Sequence, residues 1–338
     1  MKVVRRGFLL LLILGFAFTA AACGSDPTGK KETKTIHVVE VTRSLFYAPQ
    51  YVAIHEGFFK EEGLRIDLNN GFGGDKTMAA LLSGDADMVL VGTEAAVYVT
   101  SRGAQDPVVG FAQLTQTDGS FLVSRQPVKD FQWKDLKGKK LLGQRKGGMP
   151  EMVSEYVQRQ NGLEPHKDVS IIQNVDYKNL GSAFLSGTGD YAQLFEPVAS
   201  KIEQQGKGTV VASFGKESGK LPYTVYLTKE SYLQKNPDRI KRYIRALHKA
   251  QQWVASHSPE EIADSVQPSF PDTDREIIVK VLERYQSQKS WATNPIINPG
   301  EYNTLLKVMD QAGELPEKVT YEKVIRTELA EQVMAESE

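Results

Sequence analysis

Short apolar runs alternate with amphipathic stretches along the first two thirds of the chain. Strand-length runs cover 36–41, 64–68, 87–91 and 108–114, and helix-length stretches cover 48–62, 76–83 and 94–101 between them. In the first helical stretch Tyr51, Val52, Phe58 and Phe59 form the apolar side. Strands alternating with helices predict βαβ units and a mainly parallel sheet. The pattern restarts after Asp118, with strands over 120–124, 139–143, 169–174, 190–195 and 209–213 and helices over 150–161 and 178–185. Within 150–161, Val153, Tyr156 and Val157 follow i, i+3, i+4 spacing, and Gly162 stops the helix. A third composition begins near Thr224. One strand over 224–228 leads into helical sequence, where Asn236-Pro237-Asp238 opens a long helix with Ile240, Ile244, Leu247 and Val254 in register. Further helices are predicted over 259–266, 274–286 and 300–312. Two α/β units followed by a helical segment that packs on one of them describe a cleft protein, and open α/β sheets place ligands beyond the carboxyl ends of their strands.

The start of the chain changes the picture from a fold to an exported fold. Lys2, Arg5 and Arg6 precede an apolar run over 8–18, and Ala20-Ala21-Ala22 stands immediately before Cys23. This is the order of a secretory signal, and eleven apolar residues are too few to span a bilayer. The cysteine after the small residues resembles the bacterial lipobox, in which a lipid is joined to the thiol and the chain is cut just before it. Ala20 stands where a leucine is usual. Residues 1–22 are therefore expected to be a signal peptide, and 23–34 a lipidated, polar tether that ends at the folded body. Lipidation, palmitate included, also accounts for the one thiol of a secreted chain. Residues 1–22 hold three cations and no acid, so removing them takes the formal net charge from −1 to −4. That balance argues against a nucleic-acid partner or a polybasic membrane surface. With no cysteine besides Cys23, disulfides and thiolate metal sites are excluded.

Catalytic patterns are missing. His37, His55, His166, His248 and His257 are scattered without metal-ligand spacing, and no G-x-S-x-G elbow is present. Gly71 to Thr77 is glycine-rich, yet the G-x-x-x-x-G-K-[ST] spacing is not met and Asp75 would set a negative charge where phosphate should lie. Asp272 and Asp274 lack calcium-loop spacing, and Lys137 to Lys140 reads as a solvated turn. No catalytic residue, metal or cofactor is expected.

Binding chemistry is present instead. Four junctions from strand to helix share one design: Gly73-Gly74-Asp75, Gly92-Thr93-Glu94, Gly147-Gly148-Met149-Pro150-Glu151 and Phe195-Glu196-Pro197. Glycines let backbone approach a ligand, and free helix N–H groups point into the space they leave. Each junction is also explicable as helix capping, Asp75 and Thr93 being good caps; their shared position at strand ends is what favours a site. Ser44, Phe46 and Tyr47 follow the first strand, either as an aromatic pocket wall or as a cover for the core.

The segments Ser44-Leu45-Phe46-Tyr47-Ala48-Pro49-Gln50-Tyr51-Val52-Ala53 and Glu56-Gly57-Phe58-Phe59-Lys60-Glu61-Glu62-Gly63-Leu64 resemble the opening of substrate-binding proteins of nitrate/sulfonate/taurine-type ABC importers. That group includes binding proteins for thiamine-pyrimidine precursors. Ala80-Leu81-Leu82-Ser83-Gly84-Asp85-Ala86-Asp87 and Asp135-Leu136-Lys137-Gly138-Lys139-Lys140 match as well. The resemblance implies the type II periplasmic-binding-protein fold, two α/β lobes closing on a small solute, with lobe 1 over 35–118 and 224–338 and lobe 2 over 119–223. It implies C-terminal helices packed on lobe 1, and a monomer that hands its solute to permease and ATPase subunits at the cell membrane. Enzymes on the same fold include a thiamine-pyrimidine synthase whose cysteine-rich motif this chain cannot supply. For the solute, Arg43, Arg145 or Lys146 would suit a sulfonate, taurine or nitrate. Asp75, Glu94, Glu151 and Glu196 would repel one if they face the cleft, and favour an amine-bearing or neutral solute such as an aminopyrimidine. A sensory lipoprotein is the remaining alternative class.

Overall fold

The computed structural model describes residues 34–317 and 319–337. The expected signal peptide, Cys23 and the tether up to residue 33 lie outside the described residues. Ten strands form two five-stranded sheets. The first contains β1 (Lys34–Glu40), β2 (Leu64–Asn70), β3 (Met88–Gly92), β4 (Val108–Thr115) and β10 (Thr224–Lys229), in the order β2-β1-β3-β10-β4. The second contains β5 (Ser120–Ser124), β6 (Lys140–Leu142), β7 (Ser170–Ile172), β8 (Tyr191–Phe195) and β9 (Thr209–Ser213), in the order β7-β6-β8-β5-β9. The chain thus passes from one sheet to the other over 116–119 and returns over 214–223.

Each sheet is mixed rather than mainly parallel. β1 runs parallel to β2 and β3, but β10 is antiparallel to β3 and to β4. Likewise β6 is parallel to β7 and β8, while β5 is antiparallel to β8 and β9. The reversal comes from the two crossings. A strand entering a sheet from the other sheet, without the long crossover that a parallel pair needs, need not run parallel to its neighbour; the return holds only the short helix Phe214–Ser218. β3 lies in the middle of the first sheet and is apolar and buried; β4 ends the strand order, yet every one of its residues is buried as well.

Local chemistry explains where helices begin and end. The stretch 48–62 is not one helix: Gly57, at φ 79°, splits it into Ala48–His55 and Phe58–Glu61. Only a residue without a Cβ takes that conformation freely. The helix Pro237–Ser256 buries Ile240, Tyr243, Ile244, Leu247 and Val254 along one stripe against Ala48–His55 and Glu328–Ser337. Tyr243 fills the gap beneath, its ring 4.8 Å from Phe59 and 5.0 Å from Tyr226. The helix Pro259–Val266 starts at a capping box, in which Ser258 and Glu261 satisfy each other's backbone N–H groups.

The helices Tyr321–Val324 and Glu328–Ser337 extend past the predicted set. The C-terminal helices also do not pack on one sheet alone. Arg275–Gln288 touches Val198–Gln204, which adjoins the second sheet, and Pro299–Gln311 lies against Met149–Gln160. Among the described residues no helix is long and apolar enough to cross a membrane.

Candidate functional site

The carboxyl ends of β1, β3 and β8 and the N-terminus of the helix Met149–Gln160 converge on one gap between the two sheets. On the first-sheet side, Glu40 ends β1 fully buried and accepts from Tyr51 (2.7 Å), Gln50 (2.9 Å) and Arg43 (3.1 Å). Burial raises its pKa against the pull of those donors. The network fixes the turn Leu45–Tyr47 that follows, which Ser44 caps by accepting the Phe46 N–H.

Glu94 is the central group. It opens the helix Glu94–Ser101 directly after β3, and its carboxylate folds back over Gly92, where a Cβ would lie 2.1 Å from Glu94 Oε2. Gly92 is therefore what makes room for it. Glu94 Oε1 accepts the Met149 N–H at 3.3 Å, from the opposite side of the gap, while Oε2 is buried with no hydrogen-bond partner. Burial pushes this carboxyl up to about 7, against the pull of its own N–H and that of Met149. One turn further on, the Tyr98 hydroxyl donates to Gly147 O at 3.1 Å.

Aromatic rings surround this carboxyl. Phe46 packs at 5.7 Å from Tyr47, 5.7 Å from Tyr223 and 6.2 Å from Phe195, and Phe195 lies 5.9 Å from Tyr177. Burial lifts the hydroxyls of Tyr47 and Tyr223 well above the usual tyrosine range, and the Glu94 charge contributes to both shifts. Beneath Tyr223 lies Asp118, fully buried, whose Oδ1 accepts the backbone N–H of Ser120 at 2.6 Å. Burial pushes Asp118 up to about 6, opposed by the hydrogen bonds from Ser120. A buried carboxyl oxygen with no donor, near enough to Tyr47, Tyr98 and Tyr223 for its charge to act on all three, can accept an N–H from a small planar or cationic group.

The predicted residues divide into those at this gap and those engaged elsewhere. Phe46, Tyr47, Glu94, Met149 and Phe195 meet here, and Gly147 and Gly148 form the turn that presents the Met149 N–H. Gly147, at φ 80°, needs its glycine. The other predicted residues have partners of their own. Thr93 donates its hydroxyl to Pro222 O, which ties β3 to the returning chain instead of capping its helix. Ser44 is used as a cap. Glu196 is buried, accepting from Ser200 N at 2.8 Å, Ser200 Oγ at 2.9 Å and Arg284 Nη1 at 2.6 Å. Glu151 accepts from Gly147 N and Gln173 Nε2. Gly73 and Gly74 build the turn on β1, where Gly73 N donates to Val41 O.

Asp75 pairs with Arg145 at 2.7 Å on the rim, where the two side chains are 75% and 73% exposed. An ion pair so solvated is worth at most about 1 kcal/mol. Arg145→Ala is accordingly expected to leave the unfolding midpoint within a few degrees of wild type in a thermal melt. A drop beyond that would mean the pair carries more of the rim than its exposure allows. The cations suited to an anion are all paired: Arg43 with Glu40 (3.1 Å), Arg145 with Asp75 (2.7 Å) and Lys146 with Glu314 (3.6 Å).

Sequence reasoning missed Tyr98, Asp118, Tyr177 and Tyr223. Tyr223 and Asp118 lie on the two crossings between sheets, where no periodicity marks a face. Tyr177 precedes a helix that begins only at Leu180.

The chain matches the NMT1/THI5-like family over residues 46–262. It is 50% identical over 333 residues to a Bacillus subtilis (strain 168) protein named as a binding protein, YtlA, covering 98% of both chains. A second protein of that organism, named as an aliphatic sulfonates-binding protein, is 22% identical over 85% of this chain and 86% of its own length. Among solved structures, the alkanesulfonate-binding protein SsuA of Xanthomonas axonopodis pv. citri, bound to MOPS, superposes with a TM-score of 0.69 at 14% identity, covering 88% of this chain and 99% of that one. The periplasmic nitrate-binding protein NrtA of Synechocystis PCC 6803 gives 0.70 at 17% identity, over 91% and 90%. The two mixed sheets match the periplasmic-binding-protein fold of these structures.

Proposed function

The chain belongs to the NMT1/THI5-like family, and on that premise we propose that it is the extracytoplasmic substrate-binding lipoprotein of an ABC importer, capturing an amine-bearing or aminopyrimidine-like solute. The capture is by two lobes, 35–118 with 224–338 and 119–223, in keeping with the strands' division into two sheets. The lipid on Cys23 holds the monomer at the membrane, which raises its effective concentration beside the permease. The observation that carries the choice of solute is the unpartnered Glu94 Oε2 among aromatic rings. A buried acceptor left unmet costs about 1–3 kcal/mol, and a solute N–H removes that cost on binding. Tyr47, Tyr177, Tyr223 and Phe195 offer faces to an aromatic ring or a cation.

Binding proceeds in the reading proposed here by closure. The solute stacks between Tyr47 of the first lobe and Tyr177, Phe195 and Tyr223 of the second, and the Gly147–Met149 turn of the second lobe comes down on it. Water is then excluded from the carboxyl, so each remaining polar group of the solute must find a partner. A sulfonate or nitrate solute is the second reading, favoured by what the relatives are named for. The paired state of Arg43, Arg145 and Lys146 weighs against it. Thermal-shift screening with 4-aminopyrimidine, taurine, an alkanesulfonate and nitrate separates the two. The amine-bearing probe is expected to raise the midpoint, and stabilisation by the anions alone overturns the proposal. Small-angle scattering with any stabilising probe is expected to show compaction; an unchanged radius of gyration would sink the closure mechanism.

A further inference from the structure

The helix Met149–Gln160 carries Glu151 and Glu155 one turn apart, and His166 reaches back to the same place from the loop beyond its end. Glu151 is 2% and Glu155 4% exposed. One ligand atom from each of the three residues lies within 4.8 Å of the other two. Two buried carboxylates at this separation repel unless one of them holds a proton or a cation stands between them. Arg159 answers only part of that need: its Nη2 holds Glu155 Oε2 at 3.1 Å, on the side away from His166. On the other side, His166 Nε2 meets Glu155 Oε1 at 2.8 Å, and the imidazole is half exposed, leaving a way in from solvent.

We infer that Glu151, Glu155 and His166 form a binding site for a first-row divalent transition cation, zinc foremost, separate from the solute gap. The donor set is two carboxylates and one imidazole, which suits such ions better than calcium or magnesium, since those prefer oxygen alone. Three protein ligands with a position open to water is a known arrangement for zinc, whose ligand atoms sit at about 2.0–2.2 Å from the ion. The residues behind the ligands are already in place. Gln173 Nε2 donates to Glu151 Oε1 at 3.1 Å, Gly147 N to Glu151 Oε2 at 3.2 Å, and Arg159 to Glu155. Such outer hydrogen bonds orient metal-binding carboxylates. Arg159 Nη1 is also buried without a partner next to Glu155. No sequence spacing announces the site, because the imidazole lies eleven residues beyond the nearer glutamate and arrives only through the loop.

Calorimetric titration of the chelator-treated full chain with zinc chloride, and separately with manganese chloride, tests this. One saturable zinc site is expected, weakened by at least about 10-fold in His166→Ala and in Glu155→Gln, and unchanged in His37→Ala. His166 is exposed, so its variant keeps the fold, which circular dichroism checks. Absence of saturable uptake overturns the site, as does uptake that survives both substitutions.

Discussion

At pH 8, where the carboxyl is ionised, replacing Glu94 by Gln is expected to weaken binding of 4-aminopyrimidine by about 30–100-fold, the equivalent of about 2–3 kcal/mol for a hydrogen bond to a charged group. The substitution keeps shape and removes charge, so the ring-walled gap should stay intact. A second readout separates a binding role from a folding one. In the wild type, Glu94 holds its proton up to about pH 7 when folded and releases it near 4.5 when unfolded. The folded state then carries the extra proton between those values, and stability falls as pH rises through that window. Asp118, pushed up to about 6, adds to the fall in the same direction. Glu94→Gln removes its own share of this slope, so its urea midpoint should exceed that of the wild type at pH 8 and approach it at pH 5. Unchanged affinity in the variant would remove Glu94 from the solute site; an unchanged pH slope would mean the carboxyl is not protonated in the folded chain.

The second large effect concerns Arg284. Its guanidinium bridges Glu196 and Glu203, both at 2.6 Å, and also meets Ser200. The Glu196 side chain is wholly buried, while that of Arg284 is 20% exposed. The two carboxylates raise the Arg284 pKa despite its burial, and the Glu203 pKa is lowered by Lys280 and Arg284 against burial. Arg284→Met leaves the Glu196 charge in the interior without its counter-ion, and this is expected to cost about 3–5 kcal/mol. The measurement is the shift of the denaturation midpoint. Adding Glu196→Gln to Arg284→Met should recover a large part of the loss, because the buried charge is then gone. A double variant no better than the single one would show that the guanidinium acts by packing rather than by charge.

The architecture was legible where burial follows a short period. Alternating strands and helices marked both sheets, and the second half of the pattern restarted at Asp118, which lies at the first crossing. Direction was not legible, since β5 and β10 have the same apolar composition whichever way they run. The glycine-rich junctions were correctly drawn to the strand ends, but sequence could not assign their acids. Glu196 finds Arg284 88 residues away, and Thr93 finds Pro222 129 residues away. Those distances exceed any local rule, so one carboxylate of the four becomes the unpartnered group of the site while another becomes a structural ion pair. The tyrosines of the gap come from crossings and loops, where composition carries no sign of which way a ring faces.

The position of β10 bears on how the chain is made. It lies between β3 and β4 in the first sheet, although more than a hundred residues separate it from either in the sequence. Until Thr224–Lys229 has been made, β4 has no neighbouring strand to pair with and the first sheet is an unfinished edge. The second sheet needs no later strand and is complete once β9 arrives. β1, β2 and β3 can pair with one another early, so the edges left waiting are those of β3 and β4, the surfaces open to a chaperone until β10 fills the place between them.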